Sequence, residues 1–457
     1  MLNALLGRGC RVGFFGIGRS NVSLMQHLPL KNCRITLRSD GKIDRSGLPS
    51  SLNIDRIYEL DRATDDICED VIFFSPSVRR DRARLCRAKE RGVIFSSDAE
   101  LFFSENRRPV FAVTGSDGKS TTATLINMLL NESGIRSRLI GNIGEPMMAR
   151  LSDDADCYVT ELSSFMLTYC TPSVDRACLT NLTPNHLDWH KSIEEYNKTK
   201  ISLIKSAMWQ AVCEENADLV SRGAIVSDKS DYSDLKSRYK ADLYLTREGG
   251  SICKNGRPII ALEKIKRRAA HDIKNLMMAI AMTDGYADDR AIETVAAGFS
   301  GLEHRCQKIL TVGGVDYIDS SVDSTPARSC ESLRSLGREC VLILGGRGKG
   351  LDYTTLIPEV KKYARAVLIV GENANEIYAA IWGYADCRVC DDMDEAVRQG
   401  ICLAKGVGTL LLSPASTSLD RYKNYAERGN DFKKKVYKYL RFDNINLQNT
   451  DETGKQT

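Results

Sequence analysis

Ten residues from Val113 to Thr122, Val-Thr-Gly-Ser-Asp-Gly-Lys-Ser-Thr-Thr, have the types and order of a loop that holds phosphate. The apolar run from Pro109 to Val113 predicts a short buried strand before it. Lys119 and Ser120 open a helix whose apolar period runs through Leu125, Ile126, Leu129 and Leu130. Backbone N–H groups at a helix N-terminus attract polyphosphate, a lysine neutralises it, and a hydroxyl ligates Mg²⁺. The spacing departs from G-x-x-x-x-G-K-[ST], because Val113 stands where the first glycine belongs. Strand, turn, lysine, hydroxyls and helix in register still predict that the chain handles ATP.

Two more strand ends carry suitable groups. Tyr158 to Ser164 reads as a strand ending in Glu161, and His186 follows the apolar run Ala177 to Leu179. In parallel α/β sheets ligands gather at the carboxyl ends of strands, so Lys119, Ser120, Glu161 and His186 are expected to converge on a Mg²⁺-nucleotide. Mg²⁺ suits so sparse a set because it keeps waters and substrate phosphates as its other ligands. His271 and Asn275 fall one turn apart on a further helix. Arg305, in Gly301-Leu-Glu-His-Arg305, is placed to meet a γ-phosphate. The loops Gly345 to Lys349 and Leu412 to Ser418 follow apolar strands and offer N–H groups, hydroxyls and a cation to a carboxylate.

Positioning these groups falls to apolar runs alternating with helical periods. That pattern predicts an α/β fold with parallel sheets flanked by helices. Three segments are expected: 1–108, 109–302 and 303–457, with a linker at Ser104 to Pro109 and a polar tail after about 442. The first opens with a strand running into Gly16-Ile-Gly18-Arg19-Ser20. Lacking the third glycine of a dinucleotide fingerprint, that turn is weak evidence for NAD but can hold a diphosphate at a helix N-terminus. With 457 residues, 42% hydrophobic, 27% charged and a net charge of +4, the chain has the composition of a globular protein. The seven basic residues between 79 and 91 lack interleaved aromatics and read as a solvated helix face, so no nucleic acid is expected. No apolar run approaches the roughly 20 residues of a membrane span. The 15 scattered cysteines predict reduced thiols in a cytoplasmic protein.

In order and spacing these motifs resemble the Mur ligase family, from the first glycine turn to about Phe432. The parts that carry the resemblance are Thr114 to Thr121, Glu161 to Phe165, Asn181 to Asp188, Tyr196 to Lys200, Gly301 to Arg305, Leu344 to Gly350, Leu412 to Asp420 and Asn424 to Gly429. The resemblance implies three domains: a Rossmann-like N-terminal one for the UDP moiety, a central P-loop-type ATPase, and a Rossmann-like C-terminal one for the amino acid. Within the family it points to ATP-driven addition of D-glutamate to UDP-N-acetylmuramoyl-L-alanine through an acyl phosphate, by a monomer. Another Mur ligase, a folylpolyglutamate synthase-type ligase or a catalytically impaired nucleotide-binding homologue are the alternatives.

Carried over by position, the resemblance puts Gly115, Ser116, Asp117, Gly118, Lys119, Ser120, Thr121, Asn275, Arg305 and Asp319 at ATP. It puts Ser120, Glu161, His186 and Lys200 at Mg²⁺, Lys200 as a CO₂-derived carbamate. Lys119, His186, Lys200 and Arg305 become the catalytic set. Gly18, Arg19, Ser20, Arg38 and Asn142 fall to the UDP substrate, and Lys349, Ser418 and Tyr425 to D-glutamate. Asp117, Met166 and Asp272 replace the commoner asparagine, glutamine and asparagine. The segment 319–326 differs most from the usual Asn-Asp-Ser-Lys-Ala-Thr-Asn; it lacks the lysine and leaves open which Asp touches ATP.

Overall fold

The computed structural model describes residues 6, 7, 9–41, 43, 45, 48–60, 67–183, 189–348 and 351–440. Among the described residues three sheets are present, and the chain divides into two compact units, Met1–Phe299 and Ser300–Thr457.

The first unit holds two sheets. The smaller joins β1 (Arg11–Phe15), β2 (Arg34–Arg38), β3 (Ile54–Tyr58), β4 (Val71–Phe74) and β5 (Ile94–Ser96) in the order β3-β2-β1-β4-β5, all parallel. β4 is buried along its whole length, as expected of a parallel strand covered on both faces. Phe14 stacks on Phe73 and Phe15 on Phe74, fixing the pairing of the two central strands. The strand order reverses direction at β1, so the turn Gly16–Gly18 lies where ligands bind in such sheets. The expected linker at 104–109 is shorter than its polar composition suggested. Ser97 caps a helix Asp98–Glu105 that takes in its first two residues.

The larger sheet contains β6 (Val110–Thr114), β7 (Ser137–Gly141), β8 (Cys157–Glu161), β9 (Val174–Leu179), β10 (Ala207–Cys213), β11 (Gly223–Ser227), β12 (Leu243–Glu248), β13 (Ser251–Lys254) and β14 (Arg257–Ala261). Its order is β14-β13-β12-β11-β10-β9-β6-β8-β7. β6 sits between β9 and β8, so the ends of all three lie side by side. The βα pattern did not foretell the antiparallel ribbon β12-β13-β14. Gly249-Gly250 and Asn255-Gly256 form its turns, and both are hairpin signals.

The second unit builds one sheet from β15 (Gln307–Val312), β16 (Val315–Asp319), β17 (Cys340–Gly345), β18 (Ala364–Val370), β19 (Asp386–Val389) and β20 (Thr409–Leu412). The order is β15-β16-β20-β17-β18-β19, parallel except for the β15-β16 hairpin. Core clusters cover both of its faces, one including Phe432 and Val436 from the last helix, Tyr425–Tyr439. Among the described residues no helix is long and apolar enough to cross a membrane. The polar tail expected after 442 lies outside the described residues.

Candidate active site

At the end of β6 the chain turns through two glycines that no side chain could replace. Gly115 has φ +144°, and a Cβ there would lie 1.9 Å from Thr180 Oγ1. Gly118 has φ +76°, and its Cβ would lie 2.3 Å from Asn275 Oδ1. Gly118 is the N-cap of the helix Lys119–Glu132 and offers no side chain to its free N–H groups, which leaves them for an anion. The turn is bolted to the end of β9. Ser116 and Asp117 donate their N–H groups to Asn181 Oδ1 at 3.2 and 2.9 Å, and Thr180 Oγ1 donates to the Asp117 carbonyl at 2.5 Å. Lys119 Nζ donates to the Ser116 carbonyl at 2.6 Å, folding the ammonium over the turn. Thr122 Oγ1 donates to Asn275 Oδ1 at 3.4 Å, so Asn275 does meet this loop.

Glu161 closes the neighbouring strand end. Its carboxylate is buried and accepts from Ser120 Oγ at 2.7 Å and from Asn142 Nδ2 at 2.6 Å. Two candidate Mg²⁺ ligands thus touch, and Asn142, expected at the substrate, is bonded to one of them. A hydroxyl and a carboxylate are the hard oxygen donors Mg²⁺ prefers, so the residues fit that ion. Among the described residues no group of three or more His, Cys, Asp or Glu forms a metal cage.

Lys200 lies on the helix Ile193–Ser206, started by Ser192, whose hydroxyl accepts from the Glu195 N–H. Its side chain is buried, its Nζ donates to the Gly115 carbonyl at 2.7 Å, and it stands 4.7 Å from the Tyr196 ring centroid. Burial first, and the nearby Lys119 charge second, pull its ammonium down to about 7. Helical periodicity alone gave no reason to choose this lysine. The fold puts it under the glycine turn after β6.

His186 lies outside the described residues. Trp189 and His190, just after it, are anchored firmly: Trp189 Nε1 donates to the Ser77 carbonyl at 2.8 Å, and His190 Nε2 lies 2.9 Å from Ser164 Oγ.

At the smaller sheet, Gly18 is the N-cap of the helix Arg19–His27, which places Ser20 in its first turn. Arg19 donates to the carbonyls of Gly141 and Gly144, at 3.4 and 3.0 Å, on the loop that carries Asn142. Arg38 departs from its expected part at the UDP substrate. It is 1% exposed, its Nε donates to Glu69 at 2.8 Å, and its guanidinium stacks 4.3 Å from the Tyr58 ring centroid. A cation that deep needs an internal carboxylate, and Glu69 supplies it.

In the second unit Lys349 lies outside the described residues, Ser418 is buried and Tyr425 is half-exposed. Asp319, expected at ATP, instead points inward. Its carboxylate is 0% exposed and pairs with His304 Nδ1 at 2.6 Å. Asp323 is buried too, accepting from Ser332 Oγ at 2.6 Å and Ser413 Oγ at 2.8 Å, and desolvation raises its pKa.

Residues 113–283 match the Mur ligase middle domain. UDP-N-acetylmuramoylalanine--D-glutamate ligase of Ruminiclostridium cellulolyticum is 33% identical over 93% of this chain and 96% of its own length. The chain belongs to the Mur ligase family. The enzyme of the same name from Acetivibrio thermocellus is 32% identical over 93% of this Mur ligase and 96% of its own length. Among solved structures, UDP-N-acetylmuramate-alanine ligase MurC of Thermotoga maritima shares the fold, at a TM-score of 0.56 and 16% identity, over 95% of this chain and 100% of its own. Folylpolyglutamate synthase of Mycobacterium tuberculosis also shares it, at a TM-score of 0.51 and 12% identity, over 73% of this chain and 93% of its own.

One residue of this Mur ligase that sequence reasoning passed over is Arg428. Its guanidinium is buried and donates to Ser321 Oγ (3.0 Å), Ser321 O (2.9 Å), Ser416 O (3.0 Å) and Gly345 O (3.4 Å). It therefore ties together the loops after β16, β20 and β17. Burial pulls it down to about 10, with Asp420 the leading opposing charge. Its place in Asn424 to Gly429 was visible, but an arginine on a basic helix looks like surface.

Proposed function

We propose that this Mur ligase joins D-glutamate to UDP-N-acetylmuramoyl-L-alanine in the cytoplasm, as a monomer, with cleavage of ATP to ADP and phosphate. The reaction type rests on the junction of β6 and β8, where Lys119, Ser120, Glu161 and Lys200 meet around a glycine turn. The choice of substrates rests on relatives whose names state them and which align with 93% of the chain. Residues 1–108 are assigned to the UDP moiety, with Gly18, Arg19, Ser20 and Asn142 near it. Residues 109–302 are assigned to ATP, and 303–457 to the amino acid.

A carboxylate is a poor electrophile and must be activated. One of its oxygens attacks the γ-phosphorus of ATP, the new O–P bond forms, and the bond to the bridging oxygen breaks to release ADP. The amides of residues 118–121 and the ammonium of Lys119 meet the charge that builds on the moving phosphoryl group. Arg305 is assigned to the same phosphate. Asn275, packed against Gly118, holds the loop in shape. The amine of D-glutamate then attacks the acyl carbon, the C–N bond forms, its proton is lost and inorganic phosphate leaves. Lys349, Ser418 and Tyr425 hold the D-glutamate carboxylates so that the amine is aimed, an effect of orientation.

Ser120 and Glu161, with His186, are the residues that would hold Mg²⁺, which neutralises phosphate charge when bound. The buried Lys200 amine is half-deprotonated near neutral pH, and that free amine is the form able to add CO₂. Its N–C bond would form with loss of a proton, replacing a cation with an anionic oxygen donor.

The test is phosphate release with ATP and UDP-N-acetylmuramoyl-L-alanine, adding D-glutamate, L-alanine and diaminopimelate in turn. Turnover with D-glutamate alone is expected. Turnover with another amino acid only would replace the substrate assignment, and none with any would favour an impaired homologue.

A further inference from the structure

We infer that Asp319 and His304 form a buried positioning pair that fixes Arg305 for the reaction. The inference rests on the assignment of Arg305 to the transferring phosphate made above.

Arg305 is exposed, and its guanidinium makes no hydrogen bond or ion pair to a described residue. Its backbone is the opposite of loose. The residues on either side hold left-handed conformations, φ +59° at His304 and +41° at Cys306, which non-glycine residues adopt only where surrounding contacts enforce them. Those contacts are present on every side. The His304 N–H donates to Gln307 Oε1 at 3.1 Å, and the His304 carbonyl accepts from the Val322 N–H at 3.1 Å. The Cys306 N–H donates to Ser320 Oγ at 3.1 Å. The strained turn is thus sewn to residues 320–322, part of the segment that departs most from the family pattern.

The side chain of His304 completes the attachment. Its Nδ1 lies 2.6 Å from Asp319 Oδ2, while Asp319 Oδ1 accepts from the Ser321 N–H at 2.9 Å. Lys433 Nζ, 3.7 Å from Asp319, balances the buried charge. The last helix leaves room for the pair only because residue 429 is glycine. A Cβ there would lie 2.2 Å from His304 Nδ1 and 2.7 Å from Asp319 Oδ2. The other face of the imidazole meets Tyr425 edge-on, with ring centroids 6.0 Å apart. A carboxylate locked this way cannot also reach a nucleotide. It acts through the imidazole on the turn, and through the turn on the one exposed guanidinium that the turn presents.

The experiment is a mutant cycle on the full chain, with folding checked by thermal melts. Asp319→Ala should lower kcat about 30-fold, since a misplacement of about 1 Å can cost up to about a hundredfold. KM for the UDP substrate and for D-glutamate should stay within about twofold. Asp319→Asn still accepts from Nδ1–H and should recover to within about threefold of the unaltered chain. In an Arg305→Lys background, Asp319→Ala should cost less than about threefold, because the group it positions is already compromised. If Asp319→Ala does not fold, the comparison passes to position 304. His304→Asn tolerates positive φ and keeps a donor for Asp319, so it should stay active, while His304→Ala should not. Equal cost of Asp319→Ala in both backgrounds, or an Asp319→Asn or His304→Asn as impaired as the alanine variants, would overturn the pairing. An unaltered chain that ligates nothing would overturn the functional assignment instead.

Discussion

The turn after β6 and the segment after β16 begin alike, each a polar stretch released from the end of a largely buried strand, yet they spend their polar groups in opposite ways. After β6, two glycines at positive φ let the backbone curl, and the amides at the helix start stay available. After β16 there is no glycine between 319 and 325. Asp319, Ser320 and Ser321 are 0% exposed, and their polar atoms are consumed by His304, Cys306 and Arg428. A polar strand end is therefore not yet a ligand site. Whether its groups face a substrate or the interior depends on whether the backbone can turn them outward and on what internal partners compete for them.

The sharpest test of this contrast is Lys119→Ala. If the β6 turn is the outward-facing one, ligation should fall by about 10²–10³-fold with the melting temperature nearly unchanged. A variant retaining most of its activity would erase the distinction. Arg428→Met probes the inward-facing region. It strands buried acceptors on three loops, and urea unfolding should report a loss of about 3 kcal/mol or more in the second unit. The same substitution with unaltered stability would mean that those loops hold themselves.

Lys200 gives a smaller and pH-dependent effect. Its folded-state pKa near 7 lies below the ordinary 10.5, so between these values the unfolded chain binds more protons at this site. The burial penalty is fully present below pH 7 and relieved as pH rises through that window. Urea midpoints from pH 7 to 9 should therefore climb in the unaltered chain relative to Lys200→Met. Parallel curves would show that Lys200 titrates normally. Mildest of all, Asp117→Asn removes a negative charge beside the phosphates and should lower KM for ATP about two- to fivefold at low ionic strength. Added salt should shrink that gap.

How far the sequence could be read follows the range of the physics involved. Apolar strands followed by amphipathic helices are local signals, and β1, β6, β8 and the helix at Lys119 fall where they were expected. The ribbon β12-β13-β14 was missed although its glycine turns were in plain view, because the surrounding βα rhythm suggested another crossover. Arg38 and Asp319 were assigned to ligands only through the family resemblance. Their actual partners, Glu69 and His304, stand 31 and 15 residues away, so no local pattern could reveal that each charge is already matched. Arg428 was overlooked for the mirror-image reason: three of its four acceptors are backbone carbonyls, which carry no sequence signature.

What the sequence by itself determined is the glycine turn after β6 and the helix it opens. Glycine at 115 and 118, lysine at 119 and a hydroxyl at 120 suffice, since torsional freedom and charge belong to the residues themselves. The tertiary structure alone decided that Lys200 lies beneath that loop with its proton loosened, and that Asp319 serves a histidine. Desolvation and pairing are set by whatever the fold packs around a group, and those neighbours come from distant parts of the chain.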